Sequence, residues 1–164
     1  MRMVGDMIHN YGTWDEAWRK YWKPDMSWYG PAAFGSFLGL DGFASFQIPF
    51  EAAFENLVGG IDGQGHASHF ARFGCGDYAC VAGWPSMSGV HVAPLLDMPP
   101  SFRRLYLRSA SWWRRDKSLL AENWVMVDVP DLLLQMGYDV LRDVSGSDSA
   151  RTKAAPRANG IRPW

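Results

Sequence analysis

The sequence predicts an α+β fold in which N-terminal helices pack on the concave side of a strongly curved sheet and leave a cone-shaped, largely apolar interior. Three observations predict it. Apolar residues recur at helical spacing in the opening third, strand-like runs separated by short turns follow from His66, and aromatics are in excess, with 9 Trp, 6 Tyr and 9 Phe among 164 residues. Aromatic rings bury large areas and make good walls for a core or an apolar ligand site. The length fits one domain. We expect it over residues 1–144, followed by an irregular tail over 145–164, where Ser, Ala, Arg, Pro and Gly prevail without periodicity.

Thr13-Trp14-Asp15-Glu16 has the form of a capping box at a helix start. Trp14, Trp18, Tyr21 and Trp22 follow at helical spacing as one aromatic face, and Pro24 is expected to end the helix. Met26–Tyr29 reads as a first strand. A second helix starts at Leu40-Asp41-Gly42 with Asp41 as N-cap, and Phe43, Phe46, Phe50 and Phe54 form its buried face. Pro49 predicts a kink or break in it. Gly59–Gly65 is a loop. Strands are expected over His66–Phe73, Tyr78–Val92, Arg103–Arg114 and Leu119–Asp128, with connections short enough for antiparallel neighbours. Pro85 within the second of these predicts a bulge that bends the sheet. A last helix covers Pro130–Met136, with Asp128 as N-cap and Gly137 as C-terminal stop.

Sixteen basic against 17 acidic residues, a net charge of −1, give no electrostatic reason to expect nucleic acid or an anionic membrane as partner. No window approaches the ~20 apolar residues of a membrane span, and Met1–Asn10 lacks the marks of a signal peptide. A soluble, cytoplasmic protein is expected. Cys75 and Cys80 lack zinc or redox-motif spacing and read as small hydrophobes, with a disulfide across a hairpin as the alternative. His66 and His69, three apart, do not share a strand face, so no metal is expected, and His9 is given no role. The glycine-rich loop has no phosphate-binding motif. Gly83–Gly89 lacks the spacing of a hydrolase elbow, so Ser86 is not a predicted nucleophile.

Several segments, in order, resemble a known family: Trp28-Tyr29-Gly30-Pro31, Leu40-Asp41-Gly42-Phe43, Gly89-Val90-His91, Met98-Pro99-Pro100, Trp112-Trp113-Arg114, Glu122-Asn123-Trp124-Val125 with Asp128, and Leu134-Gln135-Met136-Gly137. Together they are similar to the SnoaL-like polyketide cyclase branch of the nuclear transport factor 2-like (cystatin-like) superfamily. The resemblance implies a conical barrel of antiparallel or mixed sheet, a deep apolar pocket for a hydrophobic small molecule, and a homodimer formed through the sheet. It also implies ring closure by aldol condensation without metal or organic cofactor, an aspartate handling the proton with help from a histidine. The family pattern Glu-x-Trp-x-x-x-Asp falls on Glu122, Trp124 and Asp128, which makes Asp128 the counterpart of that aspartate. The helping histidine would stand near Trp112 to Arg114, where this chain has none. His91 matches a histidine in the family's Gly-x-His stretch and is the remaining imidazole base.

Period-two alternation puts Leu120, Glu122, Trp124 and Met126 on one face with Asp128, and Asn123, Val125 and Val127 on the other. Asp128 reads either as an acid or base in an apolar pocket or as a helix cap. Glu122 is either a second catalytic carboxylate or the ion-pair partner of Arg108 or Arg114. Those two arginines share a parity with Trp112 and are candidates for orienting a ligand carbonyl or carboxylate. Pocket walls are expected from Trp18, Trp28, Phe50, Trp84, Arg108, Trp112, Arg114, Trp124 and Met126. Two functions follow. One is a cofactor-free enzyme catalysing aldol-type cyclisation, or a related lyase or isomerase reaction, on a hydrophobic carbonyl compound. The other is a noncatalytic ligand-binding or dimeric module of the same fold, motivated by the missing histidine.

Overall fold

Alternating apolar runs in the second half of the chain supply the long strands of one mixed sheet, against which the phenylalanine-rich helix packs. The computed structural model describes residues 3–4, 19–59 and 69–144. In order these form β1 (Trp22–Tyr29), β2 (Ser36–Leu38), α1 (Gly39–Ala52), β3 (Phe54–Gly59), β4 (His69–Cys75), β5 (Tyr78–His91), β6 (Arg104–Asp116), β7 (Leu119–Val127), α2 (Val129–Met136) and α3 (Val140–Val144). The sheet order is β2-β1-β7-β6-β5-β3, with β4 also on β5. β1 runs parallel to β7 and every other pairing is antiparallel. The four strands expected from His66 onward are present.

Pro85 marks the bend in β5. Before it the strand pairs with β4, from Tyr78 to Trp84, and after it with β3, from Met87 to His91. The register with β6 slips between Gly83 and Met87, around a cis Trp84–Pro85 bond. The backbone turns so tightly here that a Cβ at Gly83 would lie 2.7 Å from the Pro85 carbonyl oxygen.

The inner side is closed by rings. Trp28 lies 4.8 Å from Phe46 and 5.3 Å from Phe43 between centroids, Phe46 5.6 Å from Phe50, and Phe50 5.4 Å from Phe54. These rings continue into a core containing Trp22, Leu105, Leu107, Leu120 and Leu132. Each such side chain contributes about 1.5–3 kcal/mol by leaving water.

Five local expectations are corrected. Trp22 belongs to β1, not to a helix, and Tyr21 to the turn before it; the rest of that helix, Thr13–Trp18, lies outside the described residues. Pro24 falls in β1 where pairing with β7 is irregular between Trp22 and Ser27, so its missing N–H interrupts no ladder bond. Asp41 is not the cap of α1. Leu38 holds that position without a side-chain hydrogen bond, while Asp41 sits in the first turn and pairs with Arg19 at 3.0 Å. Helix α1 also runs through Pro49, which lies in its last turn on the exposed side, and Phe54 has passed into β3.

Helix α2 follows the sequence closely. Asp128 Oδ1 accepts from the Asp131 N–H at 3.1 Å, and Gly137 takes a left-handed φ of 106° that lets Tyr138 N–H reach the Leu133 carbonyl at 2.9 Å. Gln135 has a less obvious task. β7 ends where Asp128 N–H bonds the Arg108 carbonyl, and two residues back along β6 the Gln135 amide takes its place. It accepts from Tyr106 N–H at 2.8 Å and donates to the Tyr106 carbonyl at 2.9 Å. A side chain thus extends the ladder by one residue. Gln135→Leu should strand both Tyr106 backbone groups and lower stability by about 1–3 kcal/mol, read as a shift in the urea unfolding midpoint.

Candidate functional site

The two faces of β6 and β7 differ in kind, and a bulge decides which residues belong to which. β7 pairs Leu120 with Arg115 and Glu122 with Arg114, leaving Ala121 as an extra residue. Leu120 and Ala121 are therefore both buried, and alternation resumes with the opposite phase. From there Asn123, Val125 and Val127 face inward, in register with Trp113, Ser111 and Ser109 of β6. Glu122, Trp124 and Met126 face outward, in register with Arg114, Trp112 and Ala110. The parity read from sequence was inverted because it carried the phase of Leu120 across the bulge.

Of the expected site residues, the structure brings His91, Trp28 and Phe50 to the inner side. Trp112, Arg114, Trp124, Glu122, Met126, Arg108 and Trp84 lie on the outer side, with Met126 64% and Trp84 44% exposed. Trp18 lies outside the described residues. Inward-facing Asn123 and Ser109 were missed. Two consecutive buried-type residues, Leu120-Ala121, ahead of Glu122 were the signal for the bulge that turns Asn123 inward.

Glu122 and Arg114 form a bidentate pair, with both N···O distances 2.9 Å. The guanidinium holds the Glu122 carboxyl below its ordinary range, and the carboxylate raises Arg114 in turn. This pair contributes stability above the ordinary glutamate pKa and loses it as pH falls through the depressed one. Asp128 keeps its cap and stands 3.7 Å from Arg108, which also meets Asp131 at 3.3 Å. These groups border a half-open outer groove of about 210 Å³ that Leu134 and Val140 also line. Cys80 is buried, which raises its thiol pKa, and lies opposite Phe73 rather than the exposed Cys75, so no disulfide spans the hairpin. Among the described residues no cluster of three His, Cys, Asp or Glu could hold a metal, and no helix is long and apolar enough to cross a membrane.

Among the described residues, His91 is the fully buried titratable group of the inner face. It is 0% exposed, pairs with Phe54 across the β3–β5 ladder, and its ring lies 6.0 Å from the Phe54 ring. Nδ1 accepts from the Ser101 N–H at 3.0 Å and lies 3.2 Å from the Ser101 hydroxyl. Nε2 is buried and has no hydrogen-bond partner among the described residues. Burial pushes the His91 pKa down; the nearby Ala93 carbonyl opposes this only in part. The folded protein therefore binds fewer protons at His91 than the unfolded chain. Stability should fall as pH drops through 6.5, the ordinary histidine value, and this loss should cease below the depressed pKa. Urea unfolding between pH 7.5 and 5 should show that loss in the native sequence and lack its His91 component in His91→Phe.

No protein-family model matches the chain, and no curated protein matches it in sequence. Solved structures do match. IdmH from Streptomyces antibioticus, described as a candidate polyketide cyclase, shares 16% identity over 84% of this chain and 97% of its own, with a TM-score of 0.65. A candidate SnoaL-like polyketide cyclase from Shewanella denitrificans shares 13% over 82% of this chain and 94% of its own, with a TM-score of 0.66. A protein of ketosteroid isomerase-like fold from Catenulispora acidiphila, in complex with trimethylamine, shares 15% over 82% and 92%, with a TM-score of 0.58. The chain has the SnoaL-like, nuclear transport factor 2-like fold that these structures share.

Proposed function

We propose that the chain binds a hydrophobic carbonyl compound on the inner side of the sheet and enolises it without a cofactor, as an aldol-type cyclase or a related lyase or isomerase does. The observation that carries this reading is the inner face itself. His91, Ser109 and Asn123 are set singly among Trp28, Phe50, Phe54 and Trp113, the pattern of an apolar site with a few polar groups that orient a ligand. The polyketide cyclase descriptions of fold neighbours give the reaction class by analogy. Asp128, the counterpart of the family's aspartate, is the base in this reading. It follows inward-facing Val127 at the end of β7, where the strand gives way to α2.

A second reading, a noncatalytic binding module, is favoured by a specific observation. Asp128 and Glu122 both face arginines, and neither is on the inner face of the sheet. The two readings separate with 1-tetralone in deuterated buffer. Saturable binding with accelerated exchange of its α-protons supports the enzyme. Binding without exchange supports the module, and no binding contradicts both. Asp128→Asn should abolish exchange while leaving affinity within about twofold, because Asn also caps helices well. Unchanged exchange would remove Asp128 from the mechanism. Phe46→Ala, which removes a ring of the inner stack, should weaken binding about tenfold.

A second copy of the chain is the partner proposed for the outer face. Tyr29, Trp124 and Trp112 form an aromatic row there, which continues through Cys80 to Phe73, beside Met126, Ala110 and Ala82. The Arg114–Glu122 and Arg108–Asp128 pairs flank these rows at either end, so a two-fold axis through the face would bring apolar centre to apolar centre. Light scattering at micromolar concentration should give a dimer for the native sequence and a monomer for Met126→Lys.

A further inference from the structure

We infer that His91 serves the inner site as a neutral hydrogen-bond donor through Nε2–H, holding the carbonyl oxygen of the ligand, and not as a base. The inference rests on the binding reading above and assigns the polar contact within it. Its ground is the Ser101 backbone amide, which can only donate. With that N–H directed at Nδ1 at 3.0 Å, Nδ1 must be the unprotonated nitrogen and Nε2 the protonated one. Protonating the ring would destroy this bond inside a site where the charged form is already disfavoured by burial. The two nitrogens point in widely different directions, so anchoring Nδ1 on the loop before β6 turns Nε2 away from that loop. The ring shares the inner face with Phe54, which continues to Phe50 and Phe46.

The Ala93 carbonyl lies near the ring but makes no hydrogen bond with Nε2; a buried N–H left in that state costs about 1–3 kcal/mol, and native proteins seldom leave one. A ligand oxygen at Nε2 removes that cost. A ligand with no acceptor does not, so the site selects for a carbonyl within an apolar body. In the proposed enolisation the C–H bond beside the carbonyl breaks, its proton passes to the base, and the electron pair moves onto the oxygen that Nε2–H holds. The donor strengthens its bond as charge develops and gives up no proton, the behaviour of an oxyanion-stabilising group.

Two measurements test this. Long-range proton–nitrogen correlation spectra of the ¹⁵N-labelled native protein at pH 7 should show His91 protonated at Nε2 and bare at Nδ1; a proton on Nδ1 overturns the inference without touching the binding reading. Affinities for 1-tetralone and for tetralin, its carbonyl-free counterpart, should differ about tenfold in the native protein. In His91→Phe the difference should vanish while tetralin affinity is kept, and His91→Gln, which retains an N–H donor, should restore part of it. Equal affinities in the native protein, or a difference that survives in His91→Phe, overturn the inference. Failure of both compounds to bind removes the inner site and the inference with it.

Discussion

The sheet has two faces that carry apolar residues, and the bulge at Ala121 decides which residues of β7 turn toward the phenylalanine-rich helix α1. One extra residue in β7 sets Asn123, Val125 and Val127 toward the rings of α1 and sends Glu122, Trp124 and Met126 outward. Without it every side chain beyond Leu120 would exchange faces. The Glu122 carboxylate would then be pushed into the aromatic interior, and Val125 and Val127 would be left outside. The bidentate contact with Arg114 is possible because both groups stay at the outer margin.

From this division the two candidate surfaces acquire different chemistry. The inner one is aromatic with isolated neutral hydrogen-bonding groups, suited to a molecule that must be desolvated and oriented. The outer one is apolar at its centre, with charge pairs at its ends, the distribution on which the proposed pairing with a second copy rests. The second half of β5 joins them. Its bend at Pro85 lets one strand serve β4 on one side of the kink and β3 on the other, and so carries His91 back over the aromatic stack. Gln135 closes the other end by standing in for a strand residue beside Tyr106, which ties α2 and its Asp128 cap to the edge of β6.

Much of this was legible in the sequence. The four long strands, the Pro85 irregularity, the Asp128 and Gly137 caps and the helical phase of Phe43, Phe46 and Phe50 all follow from local rules of periodicity and backbone stereochemistry. What was not legible depended on tertiary context. Trp22 fits a helical face and a strand equally well, and pairing with β7 chose the strand. Pro49 reads as a breaker, yet the last turn of a helix tolerates it. The short β2 and β3 carry too few residues to show a period. The candidate site suffered most because a face assignment is a parity, and one bulge reverses it. Hence Asn123, set aside as outward, faces in, while Arg108, Arg114, Trp112 and Trp124, expected as pocket walls, face out.

That division can be tested directly by ¹⁹F spectroscopy of the protein with 5-fluorotryptophan in place of tryptophan, titrated with 1-tetralone. The account predicts that the resonances of Trp28 and Trp113 shift with saturation while those of Trp112 and Trp124 stay in place. Shifts confined to Trp112 and Trp124 would contradict it, since the ligand would then occupy the face assigned to a partner.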